Sequence, residues 1–149
     1  MATEDNIVGL GVFVCIFNRD FSKIMLLKRN KEKREQWDLD WGNVGGRMEF
    51  RETSEDACLR ETKEEIGLDL DKSKLKLIYV KETPNFLKNV HAVHFIYAIT
   101  IDESAPIHLN SESEEYKWFD LKNLPDRMLD KKEEMNKLIL LAKKAFKKE

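Results

Sequence analysis

Residues Gly45 to Leu68 read GGRMEFRETSEDACLRETKEEIGL. They hold a turn, a helix start and a dense set of carboxylates. Thr53 and Ser54 are N-cap residue types, and Asp56 follows Thr53 by three, an acidic variant of the capping box. The pattern predicts a helix from Ser54 to Ile66, with Gly67 where a left-handed C-terminal cap takes glycine. At about 100° per residue, Cys58, Leu59, Thr62 and Ile66 are assigned to one side, and Ala57, Arg60, Glu61, Glu64 and Glu65 to the other. Glu61 and Glu65 are i and i+4, and Glu64 is i+3 from Glu61. Like charges so placed destabilise a helix by a few tenths of a kcal/mol per pair. Hard oxygen donors suit Mg²⁺ or Mn²⁺, which would relieve the repulsion. Taken alone, three glutamates also describe an ordinary solvated face.

The whole spacing says more. Gly46 is followed by Glu52, then Arg60-Glu61, Glu64-Glu65 and Gly67-Leu68. This resembles the Nudix box, G-x5-E-x7-R-E-U-x-E-E-x-G-U with U apolar. Every fixed letter is present. Thr62 stands at the first U; its methyl is expected to pack and its hydroxyl to bond the preceding turn. Val44 and Phe50-Arg51 stand where the family often carries prolines, so loop details are expected to differ.

The resemblance implies an α/β protein of the Nudix fold, a mixed sheet sandwiched between helices. It implies a hydrolase that cleaves a phosphoanhydride bond in a nucleoside diphosphate linked to another group. Mg²⁺ is the implied cofactor, with Mn²⁺ as the alternative. Glu61, Glu65 and Glu64 are the implied metal ligands, with the backbone carbonyl of Gly45 as a fourth contact. Arg60 is implied to pair with a box glutamate and hold it. Glu52 would stand behind the ligands or reach the metal through water. Gly46 lets the loop backbone approach without a Cβ clash. The general base is a box glutamate or one from a later loop, where Glu112 is preferred over Glu114 and Glu115.

Composition sets the frame. The chain has 149 residues, 42% hydrophobic and 36% charged, with net charge −2. That suits one domain, residues 1–149, with a real core. No basic excess points to nucleic acid or membrane. The expected partner is a small-molecule nucleotide, and the state a monomer or homodimer. Cys15 and Cys58 lack metal-ligand spacing and read as buried thiols, and MATEDN lacks a signal-peptide layout, so a cytoplasmic location is expected.

Ile7 to Phe17 reads as a buried strand and Lys23 to Lys28 as its hairpin partner, across the turn Asn18-Arg19-Asp20. Arg29, at that strand's end, is a candidate phosphate contact or a plain surface arginine. The charged segment Asn30 to Asp40 reads as a loop, and Trp41 to Val44 as an extended lead-in. Leu75 to Lys81 reads as a strand broken at Thr83-Pro84-Asn85. His91 to Ile101 and Glu115 to Phe119 read as strands, Asp102 to Asn110 as a loop and Leu121 to Pro125 as a helical turn. Met128 to Lys148 reads as an amphipathic helix with a lysine-rich outer face. Trp37, Trp41, Phe86, His91 and Trp118 either stack on a base or cap the core, Trp118 being kept as a substrate-binding candidate.

Substrate marks lie outside the box. Pro84, 16 positions after Leu68, sits where ADP-ribose hydrolases of the family often carry a proline. No tyrosine stands where some dinucleoside-polyphosphate hydrolases carry one. Leu26 to Arg29 with Arg34 echoes part of a coenzyme A motif, but the ending Asn43 to Gly46 does not match it. The short chain resembles a nucleoside-triphosphate pyrophosphohydrolase. ADP-ribose, nucleotide-sugar and dinucleoside-polyphosphate hydrolases stay open, as does a nucleotide-binding module without turnover.

Overall fold

A computed structural model describes residues 5–128 and 131–147. The strands are β1 (Ile7–Asn18), β2 (Lys23–Arg29), β3 (Trp41–Gly42), β4 (Val44–Arg47), β5 (Lys76–Leu87), β6 (Val90–Ile101) and β7 (Ser113–Asp120), and the helices are α1 (Lys31–Trp37), α2 (Ser54–Ile66) and α3 (Lys132–Phe146). The strands form one mixed sheet. Its main path runs β3-β2-β1-β6-β5, with β4 also on β1 and β7 on β2. β1 lies antiparallel to β2 and β4 and parallel to β6.

Side chains alternate across a strand, so β1 feeds two cores. Val12, Val14 and Ile16 pack with Ala57, Cys58 and Ile66 of α2. Cys15 and Phe17 pack with Met135, Leu138, Ile139 and Ala142 of α3 on the other face. The sheet is thus held between α2 and α3. Both cysteines are buried and form no disulfide among the described residues, and burial lifts the Cys58 thiol to about 12, which keeps it protonated and inert. Among the described residues no helix is long and apolar enough to cross a membrane.

The central helix starts and ends where its capping residues require. Thr53 Oγ1 accepts from the Asp56 N–H at 3.1 Å, and Gly67 adopts φ 72° with its N–H bonded to Lys63 O. The box is only half formed, because the Asp56 carboxylate turns to Lys72 Nζ at 2.6 Å. Thr53→Ala is expected to lower stability by about 1 kcal/mol, or about 2–4 °C in Tm for a chain of this size. A thermal melt checks it; an unchanged Tm would mean another group satisfies the Asp56 amide.

Four elements differ from the sequence expectation. The charged segment after β2 is a helix, α1. Asn30 caps it by accepting from Lys33 N, and Asp38 ends it in the left-handed region at φ 52°. None of its residues is buried, so no hydrophobic period marks it. β5 continues through Pro84 with a register shift between Thr83 and Leu87. It ends the main path of the sheet, where a missing N–H is tolerated. Leu121 to Pro125 forms a turn and bends rather than a helical turn, with the Asp120 carboxylate accepting from Lys122 N. α3 begins at Lys132, and Met128 instead bridges to Trp41. Residues 129, 130 and 148 of the expected helix lie outside the described residues.

Candidate active site

α2 sets the site, and its buried half differs from the expected partition. Ala57, Cys58, Glu61, Thr62, Glu65 and Ile66 are the buried residues. They fill one continuous half-turn arc at 100° per residue. Two carboxylates therefore face inward beside the apolar residues. Thr62 is fully buried, but its hydroxyl finds no hydrogen-bond partner, contrary to the expected bond to the preceding turn.

β4 receives these carboxylates. A Cβ added at Gly46 would lie 2.4 Å from the Glu61 carboxyl carbon, so only glycine lets that carboxylate rest on the strand. Glu65 Oε2 accepts from the Gly45 N–H at 3.1 Å. The Gly45 amide thus holds Glu65 in place. Glu65 Oε1 takes Arg29 Nη1 at 2.7 Å. Arg29 also donates to Ser113 Oγ at 3.0 Å and Asn43 O at 2.6 Å. Its fork is occupied by these three groups, and Arg29 also lines the cleft.

Burial raises the Glu61 carboxyl above its usual range, against the pull of Arg60. Burial pushes Glu65 up to about 7 despite Arg29, and the Glu61 and Glu65 carboxyls influence each other. Two carboxylates so close and so desolvated favour sharing a proton. A divalent cation can replace that proton.

Arg60 is the hub on the outer side. It meets Glu52 at 2.7 Å, Glu61 at 2.8 Å, Glu49 at 3.3 Å and Glu64 at 3.4 Å, and donates to Arg47 O at 2.9 Å. The Glu52 carboxylate is held below its usual range, first by its Arg60 hydrogen bond. Glu52 also accepts from the Glu49 N–H at 2.9 Å, which ties the loop before α2. Glu64 is half exposed and lines the cleft. Among the described residues no three acidic, histidine or cysteine side chains already stand as a ligand set. Arg60 holds Glu64 aside.

Glu61 and Glu64 line a cleft of about 690 Å³. Asn43 lines it, 97% buried, with Oδ1 lacking any hydrogen-bond partner. A buried unsatisfied oxygen calls for a partner. The residues thus fit a hard divalent cation: two desolvated carboxylates, a glycine cradle and oxygen donors throughout.

Of the later-loop glutamates, only Glu112 lines the cleft. Burial raises its carboxyl, but Lys33 at 3.1 Å and Asn110 bring it net below the usual range. Glu114 is paired with Arg34 at 2.5 Å, and Glu115 is exposed. Trp118 is corrected: it packs against the α2-side core, its indole N–H is unpartnered, and it is absent from the cleft lining. The cleft aromatics are Trp37, Phe86, His94 and Phe13. Asn43, Arg47 and Gly11 were not singled out by sequence. Glycine inside a β-branched strand, as at Gly11, is the one signal that pointed there.

Gly46→Ala is expected to keep the fold, because the Glu61 carboxylate is a flexible end that can swing away. Turnover should fall on the order of 10²-fold from its displacement. Steady-state kinetics beside a melt check this; wild-type turnover would contradict the cradle.

Comparison with known proteins gives a consistent picture. The sequence model of the NUDIX domain matches residues 8–141. The ADP-ribose pyrophosphatase of Methanocaldococcus jannaschii is 31% identical over 109 residues, 73% of this chain and 61% of that protein. The dihydroneopterin triphosphate diphosphatase of Escherichia coli K12 is 32% identical over 85 residues, 57% of this chain and 53% of that protein. Curated relatives that the chain matches are longer; it spans between 11% and 61% of their length. A MutT NUDIX hydrolase structure from Burkholderia pseudomallei superposes with TM-score 0.71 at 22% identity, covering 91% of this chain and 98% of that one. That likeness concerns the fold.

Proposed function

This chain belongs to the NUDIX domain family, whose members are pyrophosphohydrolases acting on acid anhydrides, and we propose that it hydrolyses nucleoside triphosphates at a phosphoanhydride bond with Mg²⁺. The observation that carries this reading is the buried Glu61–Glu65 pair, with Glu61 on the Gly46 cradle and lining the cleft. Glu61, Glu65 and Glu64 would hold the cation, with the Gly45 carbonyl as a further contact. When bound, a divalent cation polarises phosphoryl oxygens and eases ionisation of water.

The chain's own residues do the rest. Arg29 orients Glu65 and ties it to Asn43 and Ser113. Arg60 orients Glu61 and Glu52 and would give up Glu64 as a ligand. Arg47 lines the cleft beside Gly46, and its side chain has no ion pair among the described residues. It is the open cation for the substrate's phosphates. Lys33 supports Glu112, whose ionised carboxylate would accept a proton from the attacking water. A cytoplasmic setting and a monomer or homodimer complete the proposal.

The test is a panel of nucleoside triphosphates, dihydroneopterin triphosphate, ADP-ribose, nucleotide sugars and dinucleoside polyphosphates, with products identified. Triphosphates are expected to give nucleoside monophosphate and inorganic diphosphate. Preference for ADP-ribose, the activity named for the archaeal relative, would overturn the triphosphate assignment. No turnover of any member would overturn the hydrolase reading.

A further inference from the structure

Strand register also decides which apolar side chains the fold leaves uncovered. Val12 packs with α2, and side chains alternate along a strand, so Val8 and Leu10 share its face. Residues in register on neighbouring strands share a face as well. Val8 stands opposite His91 of β6, Leu10 opposite Val93, and Val12 opposite Phe95. β5 continues these rows, with Glu82 opposite Val93, Val80 opposite Phe95 and Leu77 opposite Tyr97. α2 covers only part of this face. Val8 is 64% exposed, and Leu10, Leu77 and Val80 are between 42% and 50% exposed.

The loop after β4 adds to it. Met48 N–H donates to Leu10 O at 2.9 Å, and Ser54 Oγ meets the Tyr97 hydroxyl at 2.6 Å, so residues 48–54 span this face from β1 to β6. Within them Phe50 is 89% exposed. Arg51 holds the left-handed conformation at φ 66°, uncommon for a residue with a Cβ, and its guanidinium lies 5.0 Å over the Phe50 ring. Nine large apolar residues are exposed among the described residues, and five of them, Val8, Leu10, Phe50, Leu77 and Val80, belong to this one face. Of the rest, Ile7 and Leu87 line the cleft, which Leu10 also borders, and Tyr116 and Leu140 stand on other elements. Exposed apolar residues scattered singly are ordinary, whereas a gathered set marks an interface.

We propose that this face joins a second copy of the chain in a two-fold dimer, with Phe50 of each copy seated on the Leu10–Val93–Val80 surface of the other and Arg51 paired with Glu82 across the contact. The area suits such a dimer. A standard interface buries about 800 Å² per partner, a little over half of it apolar. The exposed parts of Phe50 and the four aliphatic side chains supply that apolar share, on the order of 400 Å². Charge agrees. Neither Arg51 nor Glu82 forms an ion pair among the described residues, and a two-fold axis forms both cross pairs at once. Pairing through the β5 edge is the other route to a dimer, and the strand is built against it. β5 carries Lys81, Pro84 and two register shifts, devices that keep an edge from adding a strand. The inference stands apart from the hydrolase reading.

Sedimentation equilibrium of the full chain tests it. The expected mass is twice 17.6 kDa, with a dimer Kd of about 1 μM or tighter. Phe50→Ser and Arg51→Glu should each weaken the dimer on the order of 100-fold, because two-fold symmetry removes each contact twice. Glu82→Arg should do the same. Arg51→Glu combined with Glu82→Arg should restore the dimer to within about ten-fold of wild type. All three positions are exposed, so the fold should survive, which circular dichroism checks. A monomer at every concentration up to about 1 mM would overturn the proposal. So would a dimer that Phe50→Ser and Arg51→Glu leave intact, since it would use another surface, and so would a charge swap that restores nothing. A dimer that responds as expected, in a protein without turnover, would keep this inference and overturn the hydrolase reading.

Discussion

Glu65→Gln and Glu61→Gln are each expected to lower turnover on the order of 10³-fold or more, with the fold retained. The amide keeps the size and an oxygen acceptor, so Arg29 at position 65 and Arg60 at position 61 keep a partner. What is lost is the negative charge that holds a cation. Metal affinity should fall in step with turnover, and KM for the nucleotide should change far less than kcat. Combining both variants should add little beyond the worse single one, because the two carboxylates act as one site. Wild-type turnover in the double variant would remove the pair from the chemistry.

The second large effect is on stability, and it depends on pH. In chelator, the folded protein binds a proton at Glu65 more tightly than the unfolded chain does. The folded pKa is about 7 against an ordinary 4.5. This contribution is fully present below pH 4.5 and is lost as pH rises through about 7, on the order of 3 kcal/mol in all. Other carboxylates, such as Glu52 and Asp56, are lowered and act in the opposite sense at more acid pH. The informative quantity is therefore the wild-type stability minus that of Glu65→Gln. That difference should fall between pH 4.5 and 7.5 in chelator, leaving the variant the more stable protein above pH 7. Saturating Mg²⁺ should reverse it, since a ligand bound only by the native state stabilises it. Denaturant titrations at four pH values check this. Parallel curves for the two proteins would mean that Glu65 is not held protonated by the fold.

Much of the site was legible from residue spacing. The limits of α2 followed from Thr53 and Gly67, because capping is local chemistry. The box glutamates followed from their positions relative to Gly46. Burial of Glu61 and Glu65 was not legible, since it depends on Arg29 arriving from β2 and on β4 offering glycines. Arg29 reads in sequence as a phosphate contact or a surface arginine for the same reason: its partners stand 14, 36 and 84 residues away. α1 carries no buried residue and so no period, though Asn30 was a usable cap signal. Pro84 read as a break because edge position in a sheet is a property of the whole fold. Trp118 and Trp37 looked alike in sequence. β7 sets one into a core, and α1 sets the other on the cleft. The open face of Val8, Leu10, Leu77 and Val80 exists only once three strands are in register.

The most direct test of metal-assisted anhydride hydrolysis at the Glu61–Glu65 pair is turnover of the best nucleotide substrate after chelation and during Mg²⁺ titration. The expected result is no turnover in chelator, then a saturable recovery that Glu65→Gln fails to show. Full turnover by metal-stripped protein, or equal recovery by Glu65→Gln, would contradict the assignment.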